Sequence, residues 1–378
     1  MSMPGFEALK SASLRLATNL RGWKSRRKLI IFESDDWGAI RMPSPEAHKR
    51  LLKAGIRVDR SRYDSLDCLE KQEDFEALMN VIDSHRDASG RPATFTFNTI
   101  MGNPDFEAIE SDGFLQFHHQ HLFDSYRQYH GEDLQEYWRQ AMKNKLIRPQ
   151  FHGREHLNVP LWMSDLQAGR VATRAAFKAQ FYGLTTRTSS PRQKNYLAAY
   201  WTESESELES ARERLESGLA LFRETFGYES STFIACNYVF PDELEPVIAG
   251  RGVRLMQGQR GQLVPSPVDG GIRIRRSWTG QISRHGLLYS VRNVMFEPFE
   301  RKGIDWVDKA MREISESLWL GKPAIVSTHR VNYVGGMSKA HRDHSLRLLD
   351  RLLGKIRKRW PELEFITSDE LLDAMETP

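Results

Sequence analysis

The chain has little cysteine, no long apolar run and almost no excess of charge of either sign, and each shortage excludes a class of protein. Two cysteines among 378 residues, Cys68 and Cys236, are too few for a disulfide framework or a Cys-x-x-Cys metal site. The fold must rest on its core, and a reducing cytoplasm is the expected setting. No stretch approaches the length of a membrane span. A balance of 54 basic against 50 acidic residues, net +4, describes a solvated surface and excludes a nucleic-acid footprint. Internal repeats and long Pro/Gly/Ser linkers are also missing, so residues 28–378 are read as one domain.

The first 27 residues stand apart. Leu9, Leu16, Leu20 and Trp23 recur at helical spacing, while Lys10, Arg15, Arg21, Lys24, Arg26 and Arg27 supply positive charge. This pattern predicts an amphipathic helical extension over residues 1–27, packed on the body or resting peripherally on a membrane surface. It has no continuous apolar centre and no small-residue cleavage site, so it does not read as a signal peptide.

Beyond it, short apolar runs alternate with helical patterns. Candidate strands are KLIIF (28–32), ATFTF (93–97), IRPQF (147–151), STFIA (231–235), VRLM (253–256), AIVS (324–327) and LEFIT (363–367). Helical patterns cover 74–86, 205–227 and 341–360, the second with Ser204 and Glu207 placed for a capping box and Gly227 for a stop. Strand then helix, repeated, predicts an α/β fold with a parallel sheet and helices outside. Residues 258–298, rich in Gly and Arg, read as an inserted β or loop segment.

The chemistry gathers where strands end. IIFESDDWG puts Asp35 and Asp36 side by side behind the first apolar run. Adjacent buried carboxylates repel unless a cation or a shared proton relieves them, so cation ligands should lie at similar depth. QFHGREHLN supplies them as His152 and His156, four residues apart beyond another strand. One Asp and two His leave open positions on a divalent, zinc-class ion, as a catalytic site requires. AIVSTHR ends a later strand in His329, a residue suited to protonating a leaving group. Asn98, at the end of ATFTFN, is expected to point into the same mouth and bind substrate. His118, His119 and His121 form a further cluster, read as a solvated or substrate-lining loop rather than a second metal site.

An Asp-Asp pair behind strand one, His-x-x-x-His behind a later strand and a strand-end His near the C-terminus resemble the polysaccharide deacetylases, carbohydrate esterase family four. The resemblance implies a distorted (β/α) barrel of about seven parallel strands. It implies Asp35 as general base, Asp36, His152 and His156 as metal ligands, and His329 as general acid. The expected activity is a metal-dependent deacetylase that hydrolyses the acetamide of an acetylated carbohydrate.

The pattern also departs from that family. Trp37 is an insertion in the first motif, expected at the rim either to stack on a sugar ring or to pack beneath a loop. The arginine loop that orients the base is not legible; FIACNYVFPDE stands there, with Asn237 and Tyr238 as expected substrate contacts and a backbone N–H near them as oxyanion donor. Arg154 or Arg330, each beside a site histidine, is the candidate partner for Asp35, and Arg154 is also counted among the substrate contacts. The same barrel would suit hydrolysis of a non-sugar C–N bond or an O-acetyl ester, or an inactive barrel that binds a glycan or a partner.

Overall fold

The computed structural model describes residues 18–184, 188–190, 192–193, 195–268, 270–301 and 303–376. The run Leu29–Trp37 is buried at every position and forms the central strand β1. Around it lie β2 (Phe95–Ile100), β3 (Ile147–Gly153), β4 (Thr232–Ile234), β5 (Leu255–Gly258), β6 (Leu288–Val291) and β7 (Ala324–His329). Their order is β6-β5-β4-β3-β2-β1-β7, with every neighbouring pair parallel. Such strands are buried on both faces, which is why they read as short continuous apolar runs.

The sheet closes through one segment. Residues Leu288–Val291 pair with β5, and two residues later Val294–Met295 pair with β7. The backbone N–H of Arg292 still donates to Gly258, while that of Asn293 already donates to Ile325. The fold is therefore an α/β barrel with seven stave positions, distorted where this stave divides. Of the segment expected as an insertion over 258–298, Gly261–Pro265 and Ile272–Arg276 form a hairpin outside the barrel sheet, while Leu288–Val291 and Val294–Met295 belong to the barrel. The sequence reading saw β character here but placed it in the insertion, because the polar break at Arg292 and Asn293 splits one stave into two runs.

Helices Gln72–Asp83, Glu205–Phe226 and Lys339–Arg359 match the three periodic patterns. Ser204 caps the second through its side chain, and Gly227 ends it at φ 78°. LEFIT contributes only Glu364–Phe365, paired with the start of β1.

Of the expected N-terminal helix, Leu9, Lys10, Arg15 and Leu16 lie outside the described residues. Helix is present at Thr18 and Asn19 but does not continue to Arg27. Gly22 takes φ 90°, and the Lys322 ammonium draws the carbonyls of Arg21, Gly22 and Trp23 outward at 2.8, 2.6 and 3.0 Å. Those carbonyls serve a lysine and not a helical ladder. No helix among the described residues is long and apolar enough to cross a membrane.

Candidate active site

Neighbouring side chains on a regular strand face opposite sides, yet Asp35 and Asp36 line one cavity of about 470 Å³. The register of β1 against β2 slips between Ser34 and Trp37, and Asp36 takes φ 74°, a left-handed conformation that aspartate tolerates better than most residues. This bulge turns both carboxylates inward. A second slip, where Thr99 and Ile100 face Phe151 and Gly153, leaves His152 as the extra residue near the end of β3. His156 follows in the loop that leads to helix Val159–Gln167, whose start is capped by Asn158.

Asp36 Oδ1 stands 3.4 Å from His152 Nε2 and 3.3 Å from His156 Nε2. Ligand atoms of a tetrahedral zinc site, about 2.0–2.2 Å from the ion, stand roughly 3.3–3.6 Å from each other. Both distances from Asp36 fall in that range. His152 Nδ1 donates to the Ile234 carbonyl at 2.9 Å, which leaves its Nε2 lone pair for a ligand. Burial above all lowers the His156 pKa to about 3, against the pull of Asp36, so this imidazole is neutral. Burial opposes the charge on Asp36 as well, but His156, His152 and Arg41 hold its carboxyl well below the usual range. The Cys236 thiol forms another possible set with the same two histidines. Burial and the neighbouring carboxylates push that thiol's pKa well up, and it donates to the His152 carbonyl at 3.3 Å, which disfavours the thiolate that a metal would need.

Asp35 does have a cationic partner, and it is neither Arg154 nor Arg330. Arg292, from the gap in the divided stave, grips Asp35 with two N–H groups at 2.7 Å each and reaches Glu33 through Nε at 2.7 Å. Burial favours the protonated acid, but Arg292 outweighs it and keeps the Asp35 pKa below the usual carboxylate range. Asn98 donates to Asp35 Oδ1 at 2.7 Å and to Gln257 at 2.9 Å. It is fully buried and positions Asp35 from beneath; it does not line the cavity as a substrate contact.

His329 faces Asp35 directly across the β1–β7 register. Its Nε2 lies 3.6 Å from Asp35 Oδ2, and its Nδ1 meets Glu297 Oε1 at 2.6 Å. Asn332 holds the other oxygen of Glu297 at 2.8 Å. Burial disfavours the imidazolium, but Glu297, with help from Asp35 and Asp36, raises the His329 pKa to about 9. The ring is thus a proton donor at neutral pH. Tyr63 packs edge-on against it at 5.6 Å.

Asn237 and Tyr238 both line the cavity, each at φ 55°. The backbone N–H of Tyr238 already donates to Ala235 at 2.9 Å, so it is not a free oxyanion donor. The Tyr238 hydroxyl accepts from Arg292 at 3.0 Å, and burial pushes its pKa up to about 12. Trp37 is not at the rim: it is fully buried, stacks on Phe97 at 3.8 Å and donates to Ser34 at 2.9 Å. An indole that follows a bulge on a strand buried on both faces is turned into the core. Arg154 points away from the cavity, to Glu155 at 2.6 Å and Ser217 at 3.1 Å. Arg330 is buried under the loop after β1, bound to Asp67 and Glu70. His118 pairs with Asp112, and His121 caps helix Leu122–His130 while meeting Thr225; neither lines the cavity.

Arg292 and Glu297 are the residues that sequence reasoning missed. Their only local signal was a polar break between the apolar runs LLYSV and VMF.

No known family's sequence profile matches the chain, and no curated protein matches it by sequence. In shape it is similar to a polysaccharide deacetylase candidate from Mycobacterium smegmatis, at 11% identity and TM-score 0.43, over 94% of this chain and 92% of that one. It is also similar to the peptidoglycan deacetylase PdaC from Bacillus subtilis, at 11% identity and TM-score 0.32, over 92% and 91%. The alpha-amylase AmyC from Thermotoga maritima matches at 10% identity and TM-score 0.45, over 93% and 75%. At this level of likeness the functional reading rests on the site itself.

Proposed function

We propose that this chain is a metal-dependent hydrolase that removes the N-acetyl group from a sugar, a glycan or a glycan precursor. One observation carries the reading: Asp36, with one oxygen 3.4 and 3.3 Å from the Nε2 atoms of His152 and His156, lines the same cavity as those histidines, Asp35 and His329. A divalent ion of the zinc class, held by Asp36, His152 and His156, would supply Lewis acidity toward the acetyl oxygen and keep positions open for water. Asp35 takes a proton from the attacking water as its oxygen adds to the acetyl carbon. Arg292 keeps that carboxylate ionised and fixes its plane, leaving the side of Oδ2 toward His329 for the incoming proton. His329 delivers its Nε2 proton to the amide nitrogen as the C–N bond breaks, and acetate and a free amine leave. Glu297 holds the imidazolium ready for that step. The two cysteines, both buried as free thiols, support a reducing compartment.

The test is metal content together with acetate release. Purified protein should carry about one zinc-class ion per chain and release acetate from oligomers of N-acetylglucosamine. Asp36→Ala and His156→Ala should lose the ion. Asp35→Asn should keep it and lose turnover by about 10²–10⁴-fold. Full metal retention in both ligand variants, or unchanged turnover in Asp35→Asn, defeats the reading.

A further inference from the structure

The hairpin Gly261–Pro265 with Ile272–Arg276 lies outside the barrel sheet and takes no part in the chemistry above. Side chains alternate along a strand, and here the alternation sorts them into two faces. Arg273 and Arg275 turn to the body, where they pair with Asp242 and Glu245. Ile272, Ile274 and Arg276, one residue out of phase, face outward. The two isoleucines are 45% and 59% exposed, and Val268 in the connecting turn is 82% exposed. Across the ladder Pro265 stands opposite Ile272 and Leu263 opposite Ile274, so the outer face is apolar on both strands. One exposed isoleucine is ordinary, but a row of apolar side chains on one outward face marks a contact surface.

At its base this face runs into a basic pocket. Arg276 lines, with Leu20, Arg21, Arg260, Ser277 and Trp278, a cavity of about 330 Å³ whose described lining holds three arginines and no carboxylate. Arg21 lies over the Trp278 ring at 5.8 Å, and Leu20 is 60% exposed. Gln259 lines the active-site cavity and its neighbour Arg260 lines this pocket, so the basic surface begins where the wall of the active site ends.

The combination limits what can cover the surface. A second copy of the same face would set arginine against arginine. A small anion would answer the guanidiniums and leave the isoleucines in water. The headgroup layer of an anionic bilayer answers both: its phosphates bond the arginines, the indole sits at its level, and the aliphatic side chains enter the acyl boundary.

We propose that the outer face of this hairpin and the pocket of Arg21, Arg260 and Arg276 dock the protein on an anionic phospholipid surface. The inference goes beyond the deacetylase reading and does not depend on it.

Cosedimentation of the full chain is measured with vesicles of phosphatidylcholine alone and with vesicles in which about one third is phosphatidylglycerol. The protein should bind the anionic vesicles about 10-fold or more tightly than the neutral ones, and added salt should weaken that binding. The double variant Arg260→Gln with Arg276→Gln should lose about 10–30-fold, at roughly fivefold for each arginine removed. Ile272→Ser with Ile274→Ser should lose about 10-fold or more through the apolar contact alone. All four side chains lie outside the core, so the thermal midpoint should stay that of the wild type. Unchanged affinity in both double variants overturns the proposal, because lipid binding would then lie elsewhere on the chain. Equal binding to the two kinds of vesicle, or binding to neither, overturns it too, as does self-association that the isoleucine variant abolishes. Acetate release from a soluble N-acetylglucosamine oligomer should be the same in wild type and variants; a matching loss there would make the face part of the substrate site and overturn docking.

Discussion

On one wall of the cavity Asp36, His152 and His156 bring three lone-pair atoms together with few partners behind them; on the other, Asp35 and His329 are each gripped by buried charge. His152 has a single hydrogen bond to a carbonyl, and the far nitrogen of His156 has none. Asp35 has Arg292 and Asn98, and His329 has Glu297, itself held by Asn332. The first wall leaves its ligand atoms to a cation, as the proposed metal site requires. The second is already assembled and lacks only a substrate. A site divided in this way should respond to mutation differently on its two sides: changes to the first alter what is bound, and changes to the second alter stability and pH response.

Arg292→Met is the largest expected effect. It leaves buried Glu33 with no counter-charge and Asp35 with only the His329 imidazolium at 3.6 Å, and removing one partner of a buried ion pair costs about 3–5 kcal/mol. Denaturant unfolding should show that loss, while zinc content in the surviving folded fraction stays near that of the wild type. A variant as stable as the parent would mean that the two walls do not differ as described.

Glu297→Gln tests the same wall through pH. The folded-state pKa of His329, about 9, lies above the unfolded value near 6.5, so its stabilising contribution is fully present below about pH 6.5 and lost as pH rises through 9. That contribution is of order 3 kcal/mol. Removing the Glu297 charge should flatten this dependence in metal-free protein. It should also move the alkaline limb of kcat downward by more than one pH unit, because the proton donor is then lost earlier. An alkaline limb that stays in place would show that Glu297 does not set the state of His329.

The two walls also differed in how far the sequence disclosed them. Asp35 and Asp36 are neighbours, and His152 and His156 are four apart, so the wall proposed to hold the metal is written in local spacing behind strands whose apolar runs are plain. The proton wall depends on contacts that cross the barrel. Arg292 meets Asp35 over a separation of 257 residues, from a stave so divided that it read as an insertion. His329 was visible as a strand-end histidine, but Glu297 was not, because what places it is the return of the chain to β7. The misplacement of Trp37 has the same origin: the bulge at Asp36 reverses the side on which the next residue lies, and no spacing rule reports a bulge.

Arg154→Ala is the smallest expected effect, and it sharpens the boundary of the site. Arg154 immediately follows the strand that carries His152, which makes it a natural substrate contact on sequence grounds alone. In the fold its guanidinium turns outward to Glu155 and Ser217, 6.0 Å over the ring of Phe117. Glu155 keeps a second cation, Arg214, at 3.5 Å, so the deletion leaves no carboxylate stranded. Stability should fall by about 1–2 kcal/mol, the size of a charge-assisted bond lost from a largely buried pair whose carboxylate keeps a second cation. KM and kcat for acetate release should stay within about twofold, since nothing that lines the cavity loses a bond. A tenfold rise in KM would mean that the substrate reaches past the mouth to the outer face of helix Glu205–Phe226, and the cavity wall drawn through His152 and His156 would then have to be extended there.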